Sequence, residues 1–232
     1  MLSNSWSNYS HYFSEDYLIA GFTNRYFPYT PANDRSEFAK ILKLDYRNIV
    51  IPRQVHSSTV TICTKAGNID NSDGIVTTEE ELILSIQVAD CIPIFLFDMQ
   101  NHNIGLVHAG WRGVHSGIIG NSITQMKELS LKPTDIKVLL GPSIRQCCFE
   151  VGPEVSKLFS NKFQLKGKED KTQLDLQGVV VEKLANMNIQ SNNIIDINEC
   201  TCCSDKYHSF RRDGEKAGRM IALFGWKNNS GI

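Results

Sequence analysis

The stretch LILSIQVADCIPIFLFDMQNHNIGLVHAGWRG, running from Leu82 to Gly113, sets the fold class. In its first part Leu82, Leu84, Ile86 and Val88 alternate with Ser85 and Gln87, a period of two that predicts a strand with one apolar face. Ile92 to Asp98 is apolar at consecutive positions, as expected of a central strand covered on both sides. Asn103 to His108 reads as a further strand, with no room for a helix before it. After Gly113 the period changes: Ile119, Ile123, Met126 and Leu129 recur at steps of four, three and three, which predicts a helix. Strands that succeed one another directly and are mixed with helices specify an α/β fold with a mixed sheet.

Working outward, Ile49 to Pro52, Val55 to Cys63, Ile136 to Gly141 and Asn193 to Ile197 read as strands. Pro153 to Phe159 and Val179 to Met187 read as helices. Asn161 to Gln173, crowded with Lys and acidic residues, reads as a solvated loop. Asp73-Gly74 reads as a turn before a strand at Ile75. A chain of 232 residues with 41% hydrophobic composition can bury roughly 70–75% of its unfolded surface. The expectation is a single catalytic domain over residues 1–232.

Charge and cysteine content narrow the function. Lys plus Arg number 24 against 25 Asp plus Glu, a formal net charge of −1, so no basic footprint for nucleic acid is present. The longest apolar runs fall far short of the ~20 residues that span a bilayer, so no membrane partner is expected. Met1 to Asp16 carries no Lys or Arg and no apolar run of the kind that forms a signal peptide. With seven cysteines, an odd number, the expectation is a cytoplasmic protein with reduced thiols.

Gln54-Val55-His56, Ala89-Asp90-Cys91 and Leu106-Val107-His108 each end on a potential metal ligand at the margin of a predicted strand. Two imidazoles and a thiolate suit zinc, and three protein ligands leave the fourth tetrahedral position open, as in catalytic sites. Spacing alone leaves another reading open, in which Cys91 is a buried apolar residue and each histidine is structural.

The surrounding motifs add a resemblance. Gln54-Val55-His56, Ala89-Asp90-Cys91-Ile92-Pro93, His108-Ala109-Gly110-Trp111-Arg112-Gly113 and Gly141-Pro142-Ser143-Ile144 occur in that order. Cys148-Phe149-Glu150-Val151-Gly152, Cys200-Thr201, Ser209-Phe210-Arg211-Arg212-Asp213-Gly214 and Gly218-Arg219 follow. Together they resemble the YfiH-type family of purine nucleoside phosphorylases, long labelled laccase-like polyphenol oxidoreductases. The resemblance implies a four-layer α/β/β/α sandwich and a zinc site at His56, Cys91 and His108. It also implies phosphorolysis of adenosine, inosine, guanosine and methylthioadenosine, with adenosine deamination in the same site and a place in purine salvage. The small-molecule partners are then purine nucleosides and phosphate. One departure stands out: the family follows an N-terminal Arg with paired glycines, whereas Arg25 here precedes Tyr26-Phe27-Pro28.

Other candidate residues follow from the chemistry. Gly110 to Gly113, between a strand and a helix, offers backbone N–H groups to an anion, and Arg112 adds a forked cation suited to phosphate. Of Arg211 and Arg212, an alternating strand would turn only one toward the cleft; the resemblance favours Arg212, with Arg25 as a second guanidinium, and Arg211 is a candidate phosphate or substrate contact. His208, beside that pair, could line the site. Asp90 is a candidate for proton transfer, or for orienting His56 or His108 through a ring N–H. Cys147-Cys148 and the Cys200 to Cys203 cluster allow a second metal site or a redox switch.

Rival readings are a metal-free cysteine hydrolase using a Cys91–His108 dyad, and a non-catalytic zinc protein with a fourth ligand such as Cys63. A true multicopper oxidase is excluded by six histidines with no H-x-H pair, copper being at most an adventitious occupant of the open site.

Overall fold

Leu84, Ile86 and Val88 leave their strand on one side and Ile83 on the other, and both sides are buried. Residues 4–28, 34–129 and 132–227 are described by the computed structural model. Among them are two six-stranded mixed sheets and a smaller three-stranded one. The first sheet runs Trp6–Asn8, Leu18–Thr23, Met220–Trp226, Ile83–Val88, Ile49–Pro52 and Gly67–Ile69. The second runs Ile194–Asp196, Ile136–Leu140, Ile92–Asp98, Ile104–Ala109, Gly74–Thr77 and Val60–Ile62. In each, parallel and antiparallel pairs are mixed. The mixed α/β architecture expected from the sequence is therefore present.

Three apolar clusters hold these elements together. In one, Leu84, Ile86, Ala222 and Phe224 of the first sheet meet Phe95, Phe97, Ile104 and Leu106 of the second. Each such fully buried large side chain is worth about 1.5–3 kcal/mol relative to exposure. The opposite face of the first sheet, with Ile19, Ile83, Ile221 and Leu223, packs on Phe38, Ala39 and Leu42, in and just after helix Asp34–Ile41. The opposite face of the second, with Ile92, Ile94, Leu96 and Val107, packs on helices Ile118–Glu128 and Leu176–Asn186.

Several local expectations change. Ser85 does not face solvent; it is buried and its hydroxyl donates to the Val50 carbonyl at 2.7 Å. The helical segment after Gly110 is two helices, Trp111–Ser116 and Ile118–Glu128, because Gly117 adopts φ +100° and closes the first one through its N–H to the Gly113 carbonyl. Of Val55 to Cys63 only Val60–Ile62 is strand, the residues before it being held as a loop. Within Asn161 to Gln173, Gln164–Lys166 pairs with Thr172–Leu174 as a hairpin rather than a free loop. Among the described residues no helix is long and apolar enough to cross a membrane.

The hairpin of Ile92–Asp98 with Ile104–Ala109 positions the site. Its register pairs Ile92 with Ala109 and Pro93 with His108. Continuing that register by one residue sets Cys91 opposite Gly110, beside His108.

Candidate functional site

His56, Cys91 and His108 present ligand atoms that all lie within 4.8 Å of one another. His108 is the penultimate residue of its strand and buried, Cys91 closes the turn between two strands, and His56 sits on the loop before Val60–Ile62. The two imidazole rings meet edge to face with centroids 4.8 Å apart.

Their orientation comes from Asp73, which sequence reading assigned to a turn. Asp73 Oδ1 accepts from His108 Nδ1 at 2.8 Å, which leaves Nε2 for a metal. The same carboxylate accepts the backbone N–H of Val55, His56 and Ser57 at 3.2, 3.0 and 2.6 Å and the Ser57 hydroxyl at 2.8 Å. Those bonds hold His56 at φ +60°, a conformation that a residue with a Cβ rarely adopts unaided. Gln54 pins the same loop: its amide donates to the Gln87 carbonyl and accepts the Gln87 N–H, each at 2.8 Å.

Electrostatics follow the geometry. Burial opposes ionisation of Asp73, but the His108 ring and the Ser57 amide and hydroxyl outweigh it and hold its pKa at about 2. Burial pushes the Cys91 thiol up, while His108 and His56 more than offset this and bring it down to about 6. Burial would depress His108, yet the Cys91 sulfur and Asp73 raise it to about 9. The metal-free triad is thus a thiolate beside an imidazolium, and a divalent cation would take the place of that proton.

The glycines serve this geometry through space rather than through unusual dihedrals. A Cβ on Gly110 would lie 2.9 Å from Cys91 Sγ and 3.3 Å from His56 Cδ2. On Gly113 it would lie 2.8 Å from the Ser57 carbonyl oxygen, so the helix can press on the loop that carries His56. The soft donor set, the fixed Nε2 of His108 and this cradle fit a zinc-sized ion held by three side chains. No fourth protein donor joins that group among the described residues, and Cys63 is buried in the core instead.

Over the triad lies a cleft of about 850 Å³. Arg35, Arg112, Arg211, Arg219, Trp111, Phe149 and Phe210 are among the residues that line it. The Arg112 guanidinium stacks 4.3 Å above the Trp111 ring. Nothing in the sequence around Arg35 marks it as a site residue, and Arg219 stands out only within the Gly218-Arg219 motif.

Arg211 and Arg212 lie on a short helix, Phe210–Asp213, and not on a strand, so their side chains diverge by the ~100° of successive helical residues. Arg211, a candidate phosphate contact, lines the cleft, whereas Arg212, the guanidinium that the resemblance favours, turns away to the carbonyls of Thr201, Cys202, Ser204 and Tyr207 and to Asp213. Arg211 is braced by the Cys148 and Glu150 carbonyls at 3.2 and 2.7 Å. Arg25 is exposed, 3.4 Å from the Asp205 carbonyl, and is not among the residues lining the cleft; nor is His208.

Asp90 borders the cleft at φ +82°, but its bonds do not run to the histidines. Oδ1 accepts from the Thr201 hydroxyl at 2.6 Å, and Oδ2 from the Ser209 hydroxyl at 3.1 Å and the Arg211 N–H at 2.7 Å. It ties two loops to the turn carrying Cys91, and the orienting carboxylate is Asp73.

Known proteins share this architecture and sequence. The crystal structure of hypothetical protein YfiH of Bacillus licheniformis matches with a TM-score of 0.89 at 26% identity and covers 98% of both chains. A purine nucleoside phosphorylase of Clostridium acetobutylicum is 32% identical over 176 residues, covering 74% of each chain. An adenosine deaminase from an unknown prokaryotic organism is 31% identical over 205 residues, covering 81% of this chain and 78% of the relative. A family model described as multi-copper polyphenol oxidoreductase laccase matches residues 28–227, and the chain belongs to that family.

Proposed function

We propose that this chain is a zinc-dependent purine nucleoside phosphorylase that also deaminates adenosine. The observation that carries the reading is the three-ligand group His56, Cys91 and His108 at the floor of a cleft walled by arginines and aromatic rings. Adenosine, inosine, guanosine and methylthioadenosine are the substrates, consistent with relatives named purine nucleoside phosphorylase and adenosine deaminase.

His56, Cys91 and His108 would hold the metal, which when bound supplies a Lewis acid with an open coordination position. Asp73 keeps His108 in the tautomer whose Nε2 faces the cleft. Arg211, fixed by two carbonyls, and Arg112, stacked on Trp111, offer forked cations to phosphate. Trp111, Phe149 and Phe210 supply flat apolar surface for a purine. Asp90 acts as a positioning residue, holding the helix of Arg211 through that residue's N–H. Phosphorolysis on such a site is largely positioning and charge stabilisation.

Asp73–His108–Cys91 also has the form of a nucleophile with its base and orienting carboxylate, which favours the cysteine-hydrolase reading as the alternative. Chromatography of products from adenosine, with and without phosphate, separates the two. Phosphate-dependent adenine and ribose-1-phosphate are expected, with inosine from deamination. Neither product from folded, zinc-loaded protein would refute the proposal.

A further inference from the structure

Away from the triad, four sulfur atoms converge on the rim of the same wall. Cys147 and Cys148 come from the turn after strand Ile136–Leu140, and Cys200 and Cys203 from the turn after strand Ile194–Asp196. Backbone pairing brings the turns together: Ser143 bridges Cys200, the Ser143 N–H donates to the Glu199 carbonyl at 3.2 Å, and the Thr201 N–H to the Ser143 carbonyl at 3.1 Å.

Cys147 Sγ lies 3.7 Å from Cys148 Sγ, 3.7 Å from Cys200 Sγ and 3.5 Å from Cys203 Sγ; Cys148 and Cys203 are 3.2 Å apart. All four sulfurs fall within 4.8 Å of one another. A tetrahedral zinc with ~2.3 Å bonds to sulfur sets its four ligands about 3.8 Å apart, close to most of these separations. Cys147 and Cys203 are exposed, so a metal has a path in. Arg145 does not compete for the sulfurs, because Asp196 holds it with two bonds of 2.7 Å.

We propose that Cys147, Cys148, Cys200 and Cys203 form a second zinc site, closed by four thiolates and structural in role. The donor set argues for that role: four thiolates complete a tetrahedron and leave no position for substrate, unlike the triad. Its placement gives it a task. The Cys148 carbonyl braces Arg211, and Thr201, inside the Cys200–Cys203 turn, bonds Asp90. A metal clamping these two turns would fix the cleft wall as a disulfide does in proteins whose thiols are oxidised.

The test isolates this site by removing the triad with Cys91→Ser in the full chain. The variant, purified with zinc and dialysed, is expected to retain a single zinc equivalent whose X-ray absorption shows only sulfur neighbours at ~2.3 Å. A second variant, Cys147→Ser with Cys203→Ser and the triad intact, is expected to lose that all-sulfur shell and keep a zinc with nitrogen neighbours. If either variant fails to fold, X-ray absorption of the wild-type protein decides, the mean sulfur count per zinc rising above one when both sites are filled. Absence of zinc from the Cys91→Ser protein would overturn the proposal. So would an intact mass lacking a pair of hydrogens, which marks a disulfide in place of a metal.

Discussion

Asp73 Oδ1 lies 2.8 Å from His108 Nδ1, and the same oxygen accepts the His56 N–H at 3.0 Å, so one buried anion aims both histidines of the candidate metal site. The coupling of ring orientation to loop conformation through a single side chain makes the site sensitive to a residue that is not itself a ligand.

Asp73→Asn retains the shape but removes the charge that holds the His108 tautomer. Zinc affinity, read by competition with a chromogenic chelator, is expected to fall about 10–100-fold. Unchanged affinity would remove the orienting role.

Gly110→Ala would place a methyl group 2.9 Å from Cys91 Sγ, at a backbone position that tolerates alanine sterically elsewhere. Denaturant unfolding is expected to show a loss of about 1–3 kcal/mol, with zinc binding weakened in parallel. A stable protein with normal metal content would contradict the cradle.

In chelated protein the Cys91 thiol titrates at about 6, below the ordinary ~8.5 of a free cysteine. Because the shift is downward, Cys91 is thiolate above that value and loses reactivity only as the pH falls through it. Peptide mapping after brief iodoacetamide exposure should give a Cys91 profile already level at neutral pH, while buried Cys63, pushed up to about 11, stays unmodified. A Cys91 profile that climbs through the ordinary thiol range would argue against the thiolate–imidazolium pair.

The two neighbouring arginines should separate by phenotype. Arg211→Gln is expected to raise the KM for phosphate about tenfold or more with zinc retained, since a charge-assisted contact is lost. Arg212→Ala should instead lower stability by about 1–3 kcal/mol, because it abandons the carbonyls of Thr201, Ser204 and Tyr207. The opposite pattern would return the phosphate role to Arg212.

The strongly patterned centre of the chain was legible in sequence. Ile92–Asp98 and Ile104–Ala109 stand out because a strand buried on both faces is apolar at nearly every position, and the three candidate ligand residues cluster around that hairpin. Leu18–Thr23 went unseen because Ala20 and Gly21 dilute an equally buried run; a Gly21 Cβ would lie 2.6 Å from Leu42, so packing demands the glycine that weakens the signal. Asp73-Gly74 does form the bend before strand Gly74–Thr77, but the orienting role of Asp73 is not legible there, because its partners arrive from residues 55–57 and 108, far along the chain. Arg212 departs from its expected place because Ser209, whose hydroxyl accepts the Arg212 N–H, starts a helical turn where the sequence suggests an extended run. Local sequence determines the elements; which of two adjacent side chains reaches the cleft depends on contacts between distant loops.

The most direct test is to remove the metal from purified protein, return zinc stepwise, and follow adenine release from adenosine in phosphate buffer. Release that is absent without metal, rises with added zinc and is lost in His56→Ala is the expected result. Full phosphorolysis by protein shown to be metal-free would contradict a metal centre built from His56, Cys91 and His108.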